Sequence, residues 1–321
     1  MKYSTLPNTD IKVSKICLGT MTFGQQNSEA EGHAQMDYAI DQGVNFFDTA
    51  EMYSIPSRKE TYGSTEKIIG TWLKKTGKRE EIVLASKIAG PNPNFGYMRD
   101  KLDFSAASIQ YALDHTLQRL QTDYLDLYQL HWPERKTNCF GQRGYKVQED
   151  AWQDNIHEVL EALDGFVKAG KIKHIGLSNE NPWGIMRFLE ESKYHNLPRI
   201  KTIQNPYSLL NRLFENASAE VCMRENVGLL AYSPMAFGVL SGKFLTGEPH
   251  PNARVNLFPQ YSRYNSSNCT EATKRYQEVA HKHGLTLTQL ALAFLAQQPF
   301  LTSSIIGATT MEQLKENINT I

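Results

Sequence analysis

Short apolar runs recur along the chain, and most precede a stretch with the three-to-four-residue period of an amphipathic helix. Tyr3–Thr5 and Ile11–Val13 flank Asn8, Thr9 and Asp10, which predicts a small hairpin. Ile16–Leu18 then precedes a helix over 28–42, Val44–Phe47 one over 65–75, Ile82–Ser86 one over 105–120, and Tyr124–Leu130 one over 154–169. The second half repeats the scheme. Lys171–Leu177 leads to a helix from Pro182 to His195, with proline well placed in a first helical turn. Ile200–Ile203 leads to a helix over 215–225, and Gly228–Ala231 to helices over 270–283 and 288–297; Ser303–Ile306 precedes a last helix from Met311. Eight parallel strands alternating with helices predict a closed (β/α)8 barrel, the TIM barrel, or a long open sheet, here with an N-terminal hairpin.

No proline- or serine-rich linker divides the sequence, so residues 1–321 are expected to form one domain. The long loops are 91–103, 133–150 and 246–268, and loops of that length in a compact domain are more often functional than idle. Lys74, Lys75, Lys78 and Arg79 read as a solvated helix end. With 34 basic and 34 acidic side chains the formal charge is zero, which argues against a nucleic-acid partner. Residues 1–19 contain no long apolar run, so neither a signal peptide nor a membrane anchor is expected. Cys17, Cys139, Cys222 and Cys269 form no C-x-x-C pair, which argues against zinc and a disulfide frame and fits a reducing cytoplasm.

Polar residues stand where the strand-like runs end. Asp48 closes the second run, Lys87 the third and His131 the fourth. Ser178 and Asn179 follow the fifth, Gln204 and Asn205 the sixth, Tyr232 and Ser233 the seventh, and Gly307 the eighth. On a barrel these ends form one rim, where the active site lies. Each residue has a plainer reading taken alone: Asp48 as a helix cap, Lys87 reaching to water, His131 as a core histidine, Tyr53 as a packed aromatic. Their convergence is what gives them weight.

The set has a chemistry. A phenol near pKa 10 is a poor acid at neutral pH, and a buried ammonium beside it lowers that value. Asp48 would aim Lys87, His131 would orient a substrate oxygen or relay a proton, and Tyr53 would protonate a carbonyl oxygen as hydride reaches carbon. No side chain supplies hydride, so a cofactor must. No G-x-G-x-x-G follows the first strand, and Gly238–Lys243 (GVLSGK) falls one residue short of a P-loop. A phosphate site built from glycine-opened backbone, Ser241 and Lys243 remains open, as does an anion site at Gly307–Thr310 before the last helix, where Thr309 or Thr310 could equally be a simple cap.

These motifs resemble the aldo-keto reductases. The resemblance is carried by Leu18–Gly24 (LGTMTFG), Phe47–Tyr53 (FDTAEMY), Ala85–Lys87 (ASK), Asp123–Pro133 (DYLDLYQLHWP), Gly170–Asn179 (GKIKHIGLSN), Gln204–Ser208 (QNPYS), Ala231–Pro234 (AYSP) and 307–317. The segments 133–145 and 204–212 are similar to bacterial Tas-type members, and more distantly the chain resembles the β-subunits of potassium channels. The resemblance implies the barrel, NADPH as cofactor, and a tetrad of Asp48, Tyr53, Lys87 and His131. It implies that Ser178, Asn179 and Gln204 hold the nicotinamide carboxamide while Tyr232 stacks on the ring. Thr20 and Met21 would complete that end. Ser233, Pro234, Met235, Phe237, Gly238, Leu240, Ser241 and Lys243 would wrap the pyrophosphate. Gly307, Thr309, Gln313, Glu316 and Asn317 would meet the adenosine end, with Arg254 on the 2′-phosphate. Family members continue past the eighth helix with a segment that closes the pocket, whereas this sequence stops at Ile321.

The expected function is therefore reduction of an aldehyde or ketone to an alcohol. The alternative is a regulatory module in which bound nucleotide acts as a sensor with little turnover. A metal hydrolase would need several ligands on the rim, and the sequence has no H-x-H after the first strand and no H-E-x-x-H. Met21, Trp132, Phe95 and Tyr97 suggest an aromatic substrate pocket, although Phe95 and Tyr97 could serve only to anchor their loop. No coiled-coil heptad sets an oligomeric state.

Overall fold

A computed structural model describes residues 1–261 and 263–321. Strands β1 (Tyr3–Thr5) and β2 (Lys12–Ser14) form the antiparallel hairpin. Strands β3 (Ile16–Gly19), β4 (Phe46–Asp48), β5 (Val83–Ile88), β6 (Leu125–Leu130), β7 (Ile172–Ser178), β8 (Ile200–Pro206), β9 (Gly228–Tyr232) and β10 (Leu301–Ile306) close into a parallel barrel. The closed form, not the open sheet, is the outcome. Closure leaves no strand edge, because β10 pairs with both β9 and β3.

Alternation along the strands sorts the side chains. In β6, Leu127 and Gln129 face the barrel interior while Tyr128 and Leu130 pack outward against the helices. The lower interior is apolar, built from Cys17, Phe46, Ala85, Leu127, Leu230 and Ile305, and Val13 of the hairpin inserts among them. Burying each of the larger ones, Phe46, Leu127, Leu230 and Ile305, contributes about 1.5–3 kcal/mol. The hairpin is pinned there by Ser4 Oγ donating to Thr302 O at 2.5 Å and by Asn45 Oδ1 accepting from Ser14 N at 2.8 Å. It stoppers the N-terminal end of the barrel, opposite the C-terminal rim where the cavity lies.

The outer helices begin at caps readable in the sequence. Ser28 and Thr286 form full capping boxes with Glu31 and Gln289, and Ser105 and Thr310 accept from the third helical N–H. The helices Ser64–Thr76 and Ala106–Leu120 meet at Gly70, where a Cβ would lie 2.1 Å from Arg119 O. Only glycine permits that approach. The expected helix over 215–225 is two pieces, a turn over Leu213–Asn216 and a helix over Ser218–Glu225, because Ala217 leaves helical geometry at φ −152°. The loop 246–268 hides a further short helix, Arg254–Leu257. Among the described residues no helix is long and apolar enough to cross a membrane.

One charge reading is overturned. Arg79 is not part of a solvated run: its guanidinium donates to Asp126 Oδ2 at 2.8 Å, to Tyr124 O at 3.0 Å and to Ile82 O at 3.1 Å. Asp126 is a buried acid within β6 and also accepts from Leu84 N at 2.9 Å. A buried carboxylate needs such partners, and Lys173 Nζ supplies a second by donating to Asp126 Oδ1 at 2.9 Å.

Candidate active site

Asp48 ends β4, Lys87 lies one residue before the end of β5, and His131 directly follows β6. Neighbouring strand ends therefore bring the three together. Lys87 Nζ donates to Asp48 Oδ1 at 2.5 Å and to Thr49 O at 2.7 Å, with both ionic side chains buried. The other carboxylate oxygen, Oδ2, accepts from Gln129 Nε2 at 3.1 Å and Gln204 Nε2 at 3.0 Å. Asp48 is thus not a helix cap and Lys87 does not reach to water. Burial pulls the Lys87 ammonium down, but chiefly the charge of Asp48 and its hydrogen bond outweigh it and hold the pKa above the ordinary value.

Tyr53 stands over this pair. Its ring centroid is 5.1 Å from Lys87 Nζ and 5.8 Å from the His131 ring, which meets it edge-on at 76°. Burial raises the phenol pKa, Lys87 pulls it back, and the net direction is upward. The downward pull expected from the ammonium exists, but desolvation exceeds it, so the hydroxyl is protonated at neutral pH. Burial, then the Lys87 charge, pushes His131 well below 6.5 and keeps its imidazole neutral. The site thus offers a protonated phenol and a neutral imidazole side by side, both able to donate to one oxygen.

The neutral His131 has a consequence for stability. Below pH 6.5 an unfolded chain gains a proton that the folded chain refuses, so stability is complete above that value and declines as pH falls through it. His131→Gln is expected to flatten the decline between about pH 6.5 and 5, measured by urea unfolding. An unchanged slope would assign the decline to other groups.

Two buried carboxylates beside the site gave no sequence signal that was used. Glu51 accepts from Arg99 Nη1 at 2.8 and 2.9 Å and from Ala89 N at 2.6 Å, tying the loop that carries Tyr53 to the end of β5. Burial raises its pKa and Arg99 opposes the rise. Glu66 accepts from Ser86 Oγ at 2.6 Å and Arg119 Nε at 2.7 Å. Gln129 was also missed, although the alternation that turns His131 inward turns Gln129 inward too.

A cavity of about 1480 Å³ runs across the rim from Tyr53 to the helix Met311–Ile318. Its walls include Thr20, Met21, Asp48, Tyr53 and His131 at one end, then Ser178, Asn179, Gln204 and Tyr232. Beyond these come Ser233, Pro234, Met235, Phe237, Gly238, Ser241, Lys243 and Arg254, and finally Gly307, Thr309, Gln313, Glu316 and Asn317. Lys87 lies beneath the floor, and Leu240 packs with Ala236, Tyr264 and Leu287 away from the wall. All the other expected catalytic and cofactor residues share this one space.

The middle of the cavity is ordered from below. Tyr232 Oη donates to Asn179 Oδ1 at 2.7 Å, and Asn179 Nδ2 donates to His131 O at 2.9 Å. Ser233, Ala236, Phe237 and Gly238 all have positive φ, from 47° to 90°, folding the backbone into a concave turn of the type that binds anions. At the far end Thr310 caps the last helix by accepting from Gln313 N at 3.3 Å, and Thr309 N donates to Gln313 Oε1 at 3.0 Å. At the near end Met21, Phe95 and Trp132 line the wall, joined by Phe140 at 6.0 Å from Trp132. Tyr97 does not line it; its hydroxyl bonds Ser57 Oγ at 2.7 Å and anchors the loop.

A model of the aldo/keto reductase family matches residues 15–321. The chain is 50% identical to "Protein tas" of Escherichia coli (strain K12) over 322 residues, covering 100% of this chain and 93% of that one. It is 33% identical to "Uncharacterized oxidoreductase YrpG" of Bacillus subtilis (strain 168), covering 100% and 91%. It is also 27% identical to "Norsolorinic acid reductase B" of Dothistroma septosporum, covering 99% and 77%. Family model, relatives and barrel agree, and the chain belongs to the aldo/keto reductase family.

Proposed function

We propose that this chain is an NADPH-dependent reductase converting an aldehyde or ketone to an alcohol, one barrel domain acting in a reducing cytoplasm. The observation that carries the reading is the buried Lys87–Asp48 pair beneath Tyr53, with neutral His131 against the same ring. The four cysteines are free, as a reducing compartment requires.

The donor set fits a dinucleotide. Lys243 and Arg254 meet no carboxylate among the described residues, and burial lowers the pKa of both. Two cations on one wall without an acid suit phosphate groups, above the concave turn at Ser233–Gly238. Ser178, Asn179 and Gln204 would hold the carboxamide, Tyr232 would lie against the nicotinamide, and Thr309, Gln313, Glu316 and Asn317 would take the adenosine. When bound, NADPH supplies the hydride. Tyr53 gives its proton to the carbonyl oxygen, His131 steadies that oxygen by an N–H bond, and Lys87 stabilises the phenolate left behind. Solvent then reprotonates Tyr53. Met21, Phe95, Trp132 and Phe140 suit an aromatic or medium-chain carbonyl.

Titration of nucleotide-free protein with NADPH and NADH, followed by tryptophan fluorescence, tests the cofactor. Tighter NADPH binding is expected. Arg254→Ala should weaken NADPH by roughly ten- to a hundredfold, the worth of about 1.5–3 kcal/mol in a charged hydrogen bond, and NADH far less. Equal losses for both would remove Arg254 from the 2′-phosphate. Tight binding without turnover on any aldehyde, quinone or ketoester would favour the sensor module.

A further inference from the structure

On the outer face of the barrel, helices Ile156–Lys168 and Pro182–His195 lie side by side, and three ligand-type groups converge between them. His157 comes from the first helix; Glu191 and His195 come from the second, one turn apart. One carboxylate oxygen, Glu191 Oε2, is 3.4 Å from His157 Nδ1 and 3.3 Å from His195 Nε2. All three ligand atoms lie within 4.8 Å of one another.

We propose that His157 Nδ1, Glu191 Oε2 and His195 Nε2 form a binding site for a zinc-class divalent cation, with water completing the coordination. Bonds of about 2.0–2.1 Å in a tetrahedron place neighbouring ligand atoms about 3.3 Å apart, the spacing found here between the carboxylate and both imidazoles. The surroundings favour ligation over simple packing. His157 Nδ1 is buried and has no hydrogen-bond partner among the described residues, so it faces the Glu191 oxygen with its bonding capacity unused. Its other nitrogen, Nε2, is 3.4 Å from Glu161 Oε1, the carboxylate–histidine arrangement that orients a metal-bound imidazole. Arg187 takes only the far oxygen of Glu191, Oε1 at 2.7 Å, fixing the carboxylate and leaving Oε2 turned to the histidines. Sequence motifs for metal missed this site because its ligands come from two helices separated by a strand. A bound ion would staple the two helices, and the proposal is independent of the reductase reading.

Calorimetric titration of the EDTA-treated full chain with zinc chloride tests it, alongside His157→Ala, His195→Ala and Glu161→Gln. One saturable equivalent is expected, absent in both alanine variants and weakened roughly 10–100-fold by Glu161→Gln. Zinc should also raise the melting temperature of the native chain but not of His157→Ala, whose metal-free melting temperature should be unchanged. No saturable binding by the native chain would overturn the proposal. So would an equivalent that survives both alanine variants, including one lost instead on Cys139→Ser.

Discussion

Tyr53→Phe is expected to lower carbonyl turnover by about 10²–10⁴-fold while leaving NADPH affinity unchanged. The substitution removes one hydroxyl and keeps the ring that meets His131 at 5.8 Å and lies 5.1 Å from Lys87. Neither neighbour of the phenol stands ready to replace its proton. His131 is held neutral, and the Lys87 ammonium is held above its usual pKa beneath the floor, so neither is a competing acid at neutral pH. Steady-state kinetics paired with fluorescence titration separates the two quantities. Near-native turnover in Tyr53→Phe would show that the acid is another group.

Lys87→Met carries the second large effect, because it acts on stability and turnover together. It leaves Asp48, 2% exposed, as a buried carboxylate whose remaining side-chain partners among the described residues are the amides of Gln129 and Gln204. Breaking a buried pair in this way costs about 3–5 kcal/mol. Turnover should fall as well, since Lys87 supplies the main downward pull on the Tyr53 phenol. The double variant Asp48→Asn/Lys87→Met separates the effects. It should recover most of the unfolding free energy in a urea titration, with no return of activity. A double variant as unstable as the single would show that the loss comes from packing around the methionine and not from the stranded charge.

Much of the barrel was legible because its signals are local. Short apolar runs, the helix-period stretches after them and Pro182 placed nearly every element within a few residues, and strand-end position selected Asp48, Lys87 and His131 before any family likeness was invoked. What sequence concealed was pairing across the fold. Arg79 sits among lysines and reads as solvated, yet it answers Asp126 from a neighbouring strand. Glu51 and Glu66 look like ordinary surface acids until Arg99 and Arg119 meet them below the surface. Burial also defeats a pairwise argument: a cation beside Tyr53 suggests a lowered pKa, but the desolvation that reverses the sign depends on the whole site. Leu240 shows the same limit in a loop, where irregular backbone gives no period by which to tell wall from core.

The measurement that meets the central claim most directly follows a labelled hydride. Purified protein is incubated with NADPH deuterated at the transferable position of the nicotinamide and with an aromatic aldehyde, and the alcohol is analysed by mass spectrometry. One deuterium is expected at the carbinol carbon with the native protein, and almost no labelled alcohol with Tyr53→Phe in the same time. Unlabelled alcohol, or intact NADPH after exposure to aldehydes, quinones and ketoesters alike, would contradict it.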